Sequence, residues 1–126
     1  ITEEEKADED SKIGDAFTIA EFVMGVNETT EADLPETVLA WDLVRAVNMA
    51  RWAFICGYIN EDEMWEAIRT TAGIAKESFN SWEEYGNSFA VGRGIWRGET
   101  DDYETADEVV GALLNKEDSP WKAIEW

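Results

Sequence analysis

Four polar residues stand at three-residue intervals inside an otherwise apolar stretch, and their types suit either anion binding or ion pairing. The stretch covers residues 38–55, and the four residues are Asp42, Arg45, Asn48 and Arg51. The planar guanidinium of arginine can hold a carboxylate or a phosphate through two parallel hydrogen bonds. Trp41 and Trp52 occur in the same stretch, so one interpretation is a ligand pocket with cationic and aromatic walls.

The same pattern also has a structural interpretation, which we favour. The stretch has the length of a helix, contains no Pro or Gly and is apolar almost all round, which is typical of a buried helix. Charges inside an enclosed helix have to be paired or hydrogen-bonded. We therefore predict an ion pair between Asp42 and Arg45, because they stand three residues apart. Arg51 points roughly opposite Asp42 and needs a partner elsewhere, such as Glu83, Glu84 or a backbone carbonyl.

Further along the chain lies a second cluster of arginine and tryptophan, made of Arg93, Trp96 and Arg97. Gly92 and Gly94 flank Arg93, so a ligand or a second helix can approach the backbone closely there. The glycines lie inside a helical pattern rather than after a strand, which argues against a dinucleotide-binding fingerprint. We favour close helix packing, with an ion pair from Arg93 to Asp42 or Glu84.

Together these patterns predict one structural polar network or ligand site, with no catalytic residue and no metal ligand. Its members are Trp41, Asp42, Arg45, Asn48, Arg51, Trp52, Glu84, Arg93 and Trp96. The chain contains 29 Asp and Glu residues, too many for any one acid pair to indicate catalysis. The acidic run from Glu61 to Glu66 lacks the spacing and the turn glycine of a calcium-binding loop.

Hydrophobic periodicity predicts about five helices. Besides the apolar one, placed at about 35–56, they begin near Ile13, Asn60, Ser81 and Tyr103. Asn60 with Glu63 resembles a capping box, and Ser81 with Glu84 is predicted to form a true one. The aromatic tail, residues 119–126, is predicted to pack back on the body. No segment alternates with period two for long enough to need a strand.

We therefore predict an all-α fold, a single compact domain of about five helices packed around a central buried helix at about 35–56. Residues 1–12 are predicted to form an acidic N-terminal segment that frays at its start. Residues 13–126 are predicted to form the single helical domain.

The composition excludes several kinds of site. The chain of 126 residues contains no histidine, which removes Ser–His and Cys–His nucleophile pairs and histidine-bound zinc. Its single cysteine, Cys56, excludes an internal disulfide and a cysteine-based metal cluster within one chain. We predict that Cys56 is a small buried hydrophobic residue and that the setting is reducing and cytoplasmic. No cofactor is predicted.

The chain is strongly acidic, with a formal net charge of −19 and a pI near 4.1. Such a field repels nucleic acid and anionic membranes and attracts basic proteins. No apolar run approaches the roughly 18 residues that cross a bilayer. The charge indicates either a solubilising surface or an acidic face for a basic protein partner, and neither nucleic acid nor membrane is predicted as a partner.

Several segments resemble the signature of a bacterial family, the domain of unknown function 1266. They are Ala40–Leu43 with Arg45 and Ala46, Ala50–Trp52, Gly57–Ile59, Ser81–Glu84 with Gly92, Arg93 and Trp96, and Leu113–Leu114 with Ser119–Trp121 and Trp126. These segments run in the family's order and cover about Leu39 to Trp126. The resemblance implies a bacterial, largely helical protein, and it implies no activity.

Two functional hypotheses follow, from different classes. The first is a non-enzymatic, cytoplasmic interaction module that holds a protein partner through its acidic surface, for example an immunity-type inhibitor of a basic toxin. The second is a small anionic-ligand-binding domain, or an enzyme, that uses Arg45, Arg51 and Arg93 beneath the tryptophans. A ligand domain should open at least two of these arginines into one cavity. An interaction domain should instead show a continuous exposed acidic or aromatic face. The oligomeric state is not predicted.

Overall fold

The computed structural model describes residues 12–27 and 34–126, and the regular structure in these residues is helical. It comprises α1 (Lys12–Asn27), α2 (Leu39–Ile55), α3 (Glu61–Ser78), α4 (Trp82–Arg97), α5 (Thr100–Asn115) and the short α6 (Pro120–Ala123). The predicted all-α class is therefore confirmed. The predicted acidic segment, apart from its last residue, lies outside the described residues.

The buried helix at the centre is α4, not α2 as the sequence predicted. Helix α4 packs mainly against α1, α2 and α5, and its buried residues are Gly86, Ser88, Ala90, Val91, Gly92 and Gly94. Helix α2 buries only Ala40, Leu43 and Ala50, and its main neighbours in the described chain are α3 and α4. The small residues of α4 let helices approach it from several sides, whereas no helix in the described part of the chain packs over the bulky outer side chains of α2.

The glycines of α4 lie at close helix contacts, as predicted for the region around Arg93. A Cβ atom added to Gly86 would lie 2.6 Å from Cγ1 of Val110 on α5. One added to Gly94 would lie 2.9 Å from Cβ of Tyr103. Such distances are shorter than carbon atoms tolerate, so a larger residue at either position would push α4 and α5 apart.

Helix α2 begins at Leu39 rather than at residue 35, because its first turn is capped from another helix. Its N-cap residue, Val38, offers no side-chain hydrogen bond. Instead the hydroxyl of Ser88 on α4 accepts the N–H of Ala40 at 3.2 Å and donates to the carbonyl oxygen of Thr37 at 2.7 Å. Residues 34–38 therefore precede the helix as irregular chain.

Two local caps were predicted, and one of them differs in detail. At α3, Asn60 Oδ1 accepts the N–H of Glu63 at 2.9 Å, and Glu63 Oε1 accepts the N–H of Asn60 at 3.1 Å, a full capping box. At α4, the Ser81 hydroxyl accepts the N–H of Glu84 at 3.1 Å. The carboxylate of Glu84, however, accepts the N–H of Asn80 at 2.8 Å rather than that of Ser81. The prediction of a true box at Ser81 is therefore half right.

The aromatic tail packs back on the body, as predicted. The Trp82 indole Nε1–H donates to the carbonyl oxygen of Ile124 at 2.7 Å, and the Trp126 Nε1–H donates to that of Phe79 at 2.9 Å. The Trp82 and Trp121 rings stack with centroids 4.8 Å apart. Two hydrogen bonds and a ring stack thus hold the tail against the end of α3 and the start of α4.

Helix α5 carries a carboxyl group whose titration should affect stability. Burial raises the pKa of Asp107 above 3.8, and the neighbouring Glu108 adds to this effect, while a hydrogen bond from Tyr103 opposes it. Because the folded state then binds the proton more tightly than the unfolded state, this group favours folding most at low pH. That contribution is lost as the pH rises through the raised pKa.

We expect Asp107→Asn to be slightly more stable than the wild type at pH 7, with no such advantage at about pH 3. The rise in melting temperature should be below about 3 °C, because the side chain is partly exposed to solvent. Thermal denaturation at the two pH values measures the effect. Glu104→Gln, an exposed position on the same helix, controls for the loss of one charge, and an equal gain in that variant would contradict the assignment to Asp107.

Candidate functional site

Helices α2 and α4 place two arginines against two tryptophans. The Cζ atom of Arg45 lies 4.6 Å from the ring centroid of Trp96 and 5.7 Å from that of Trp41. The Cζ atom of Arg93 lies 5.4 Å from the Trp41 centroid. These distances are typical of cation–π contacts. Four residues of the predicted site are thus brought together, and we call them the Arg–Trp cluster.

The ion pairs of this region differ from the predicted ones. Arg93 Nη2 lies 3.2 Å from Oδ1 of Asp102 on α5, and Arg97 Nε lies 3.5 Å from Oδ2 of the same carboxylate. The sequence had suggested Asp42 or Glu84 as the partner of Arg93, which is wrong. Because these side chains are partly exposed, solvent screens both pairs and each contributes little to stability.

A cleft of about 290 Å³ lies beside the Arg–Trp cluster, between α2, α4 and α5. Its walls include Trp41, Phe89, Arg93, Asp102 and Val109. The Trp41 Nε1 atom is buried and has no hydrogen-bond partner among the described residues. An acceptor atom in the cleft could satisfy this N–H. The guanidinium beside it is already neutralised by the carboxylate of Asp102.

The rest of the predicted polar network does not form. Asp42, Arg45 and Arg51 are exposed, and within residues 12–27 and 34–126 none of them takes part in an ion pair. Asn48 is partly buried, and Glu84 caps the start of α4 instead of meeting Arg51. The prediction of inward-facing charges rested on α2 being enclosed, and it fails because none of the described helices covers that side of α2.

The exposed side of α2 is apolar as well as basic. Met49 is 62% exposed, Trp52 60% and Ile55 73%, and Tyr58 just beyond the helix is 85% exposed. At about 100° per residue these helical positions and Arg45 lie on one side of α2, opposite Ala40, Leu43 and Ala50. We define the α2 outer face as Arg45, Met49, Trp52 and Ile55. Large apolar side chains that adjoin one another on a surface are unusual unless something binds there.

The outer face also lies on one of the least acidic parts of a very acidic chain. Helix α2 contains two arginines and one aspartate, a net charge of +1. Helix α3 has five carboxylates and two basic residues, and α5 has five carboxylates and no basic residue. A partner on the outer face would therefore meet apolar and arginine side chains first, with carboxylates at a distance.

A comparison of the whole sequence with family models settles the family. A model described as a protein of unknown function, DUF1266, matches residues 1–126. The chain belongs to this family. The match covers the entire chain, whereas the resemblance noted in the sequence began only at about Leu39. No curated protein and no solved structure matches the sequence significantly.

Two further features of this DUF1266 chain concern possible ligands and membranes. Among residues 12–27 and 34–126, no three acidic or thiol side chains come together as a group that could hold a metal ion. In the same residues, no helix is long and apolar enough to cross a membrane.

Sequence reasoning about the DUF1266 chain missed three positions. Ser88 gave no signal, because a serine within a helical pattern is usually a neutral surface choice. Asp102 was overlooked because the last helix was predicted to begin only near Tyr103, whereas α5 begins at Thr100 and carries it. Cys56 was predicted to be buried, but its thiol is exposed, because no element of the described residues covers the end of α2.

Proposed function

We propose that this domain is a non-enzymatic protein-interaction module and that its contact surface is the α2 outer face with Tyr58. The observation that carries the proposal is the exposure of Met49, Trp52, Ile55 and Tyr58. Tryptophan, tyrosine and arginine dominate the binding energy of protein interfaces. All three types occur in this surface.

The distribution of the arginines favours this proposal over a ligand-binding enzyme. Arg93 is the one arginine of the three candidates that borders the cleft beside Trp41, and it is paired with Asp102. Arg45 stacks on Trp96 at the surface, and Arg51 is exposed. The ligand hypothesis drawn from the sequence required at least two of these arginines to open into one cavity, and of the three only Arg93 borders this cleft.

The net charge of −19 suggests how a partner would arrive. Long-range attraction would steer a basic protein towards the domain, while the outer face would supply the short-range contacts. An immunity-type inhibitor of a basic toxin is the concrete form of this proposal. A cytoplasmic setting fits the exposed free thiol of Cys56, because such a thiol persists best under reducing conditions.

Paired substitutions on α2 and α3 test the surface assignment. Trp52→Ser with Ile55→Ser should weaken capture of a partner from an extract of the source cell by at least about thirtyfold, since buried tryptophan anchors are each worth about 2 kcal/mol or more. Both positions are exposed, so the melting temperature should change little. Quantitative mass spectrometry of the captured proteins gives the measurement.

Helix α3 offers a matched control of the same residue types. Trp65 and Ile74 are also exposed, and their double serine variant should capture the same partner as the wild type. If the α2 variant retains every protein that the wild type captures, the outer face is not the contact surface and the proposal fails.

A second candidate function is the binding of a small anion in the cleft beside the Arg–Trp cluster. The unpaired Nε1–H of Trp41 favours it, because a buried donor without an acceptor is costly. We rank it second because Asp102 already occupies the guanidinium of Arg93.

A further inference from the structure

An apolar cavity of about 290 Å³ lies where α2, α3, α4 and the C-terminal tail meet. It is separate from the α2 outer face and shares no residue with it. Ile68, Ala72 and Lys76 of α3 form one side, and Trp82, Tyr85 and Trp126 form the other. Most of its surface is carbon, so it suits an apolar ligand.

The aromatic wall of the cavity is held in place by backbone hydrogen bonds. The Nε1–H groups of Trp82 and Trp126 both donate to carbonyl oxygens, those of Ile124 and Phe79. The two indole donors are therefore already satisfied by backbone acceptors, and the rings contribute apolar surface to the cavity. The Trp82 and Trp126 rings meet edge to face at 5.0 Å, which fixes their relative orientation.

The opposite wall stays open because α3 presents small side chains there. Ala72 borders the cavity where a longer side chain would fill it. Ala75, on the same side, also borders the cavity and is buried. The space between α3 and the tail is thus set by the choice of alanine.

One cation stands at the cavity. The Nζ atom of Lys76 lies 5.2 Å from the ring centroid of Trp126. Glu125 also borders the cavity, yet Lys76 forms no ion pair within the described part of the chain. Tyr85 also borders the cavity; like any tyrosine its hydroxyl is protonated at neutral pH and can donate a hydrogen bond, and burial raises its pKa further.

We infer that this cavity binds a small apolar carboxylic acid, with the apolar part against the Trp82 and Trp126 rings and the carboxylate at Lys76. At roughly 30 Å³ for each water-sized unit, the volume admits about ten non-hydrogen atoms. Charge complementarity selects the acid, because Lys76 supplies, beside an apolar space, an ammonium that no carboxylate of the described residues pairs with. The inference does not depend on the proposed interaction function.

Three probes of equal chain length test the ligand class: octanoate, octan-1-ol and octylammonium. Titration calorimetry on the whole chain should show octanoate binding more tightly than octanol by up to about fivefold, the range expected for one solvent-exposed charge contact. The indole N–H signals of Trp82 and Trp126 should shift in NMR spectra on binding. Absence of octanoate binding at millimolar concentration, or tighter binding of octylammonium, would overturn the inference.

Substitutions on α3 locate the probe. Ala72→Trp should fill the cavity and abolish octanoate binding. If that variant does not fold, the smaller change Ala72→Leu replaces it and should weaken octanoate binding. Ala67 is exposed on the same helix and does not border the cavity, so Ala67→Trp should bind as the wild type does. Lys76→Gln should remove the preference for octanoate over octanol while octanol still binds. Unchanged octanoate binding in both Ala72 variants would place the probe elsewhere and refute the site.

Discussion

Replacing Gly92 by alanine is expected to lower the free energy of unfolding by about 2–3 kcal/mol, the usual range for overpacking a tight contact. A Cβ at this position would lie 2.5 Å from Cβ of Trp41 and 3.2 Å from Cβ of Val38. Both atoms are bonded directly to backbone Cα atoms, so no change of rotamer can move them away. Helices α2 and α4 would have to separate, which outweighs the gain of about 1 kcal/mol in helix propensity.

Gly73 on α3 provides the matched control. No neighbouring heavy atom lies within 4 Å of a Cβ built there, so Gly73→Ala should stabilise the protein by about 0.5–1 kcal/mol. Urea denaturation of both variants measures the difference. If Gly92→Ala proves as stable as Gly73→Ala, then α2 and α4 are not in the close contact described above.

The sequence predicted the helices well because their signals are local. The period of apolar residues identifies a helix from neighbours three and four positions away. The box at Asn60 and Glu63 likewise needs only four consecutive residues. Trp126 was correctly expected to pack on the body, because an aromatic side chain near a chain end gains much by burial.

The burial of α2 could not be predicted, because it depends on what lies across from each face. An apolar residue such as Trp52 gives the same signal whether a neighbouring helix or a partner protein covers it. The start of α2 was missed for a related reason. Its cap comes from Ser88, whose hydroxyl accepts a hydrogen bond from the Ala40 N–H although the two residues are 48 positions apart in the chain.

The sequence predicted several residues of the candidate site correctly, but not the ion pairs that they form. Trp41, Arg45, Arg93 and Trp96 do come together, because they lie on two helices that were recognised. The carboxylate that pairs with Arg93, Asp102, could not be chosen among 29 acidic residues. Ion pairing depends on the distances between side chains on different helices, and these distances cannot be read from the spacing of residues along one helix.

Replacing Ser88 by alanine is expected to cost about 2–3 kcal/mol of unfolding free energy, mainly because the Ala40 N–H is left buried without an acceptor. Ala40 and Ser88 are both fully buried, so water cannot replace the lost oxygen. The Thr37 carbonyl loses its donor as well, although Thr37 itself is exposed and water can reach it. Alanine's higher helix propensity offsets only a few tenths of a kcal/mol.

Hydrogen exchange separates this capping role from a general loss of packing. In Ser88→Ala the Ala40 amide should exchange much faster than in the wild type, while amides in the middle of α3 lose only the protection that follows from lower global stability. Ser78→Ala, an exposed serine at the end of α3, should change the unfolding free energy by less than about 0.5 kcal/mol. If the protection of the Ala40 amide in Ser88→Ala falls only as much as the global unfolding free energy does, the hydroxyl does not cap α2.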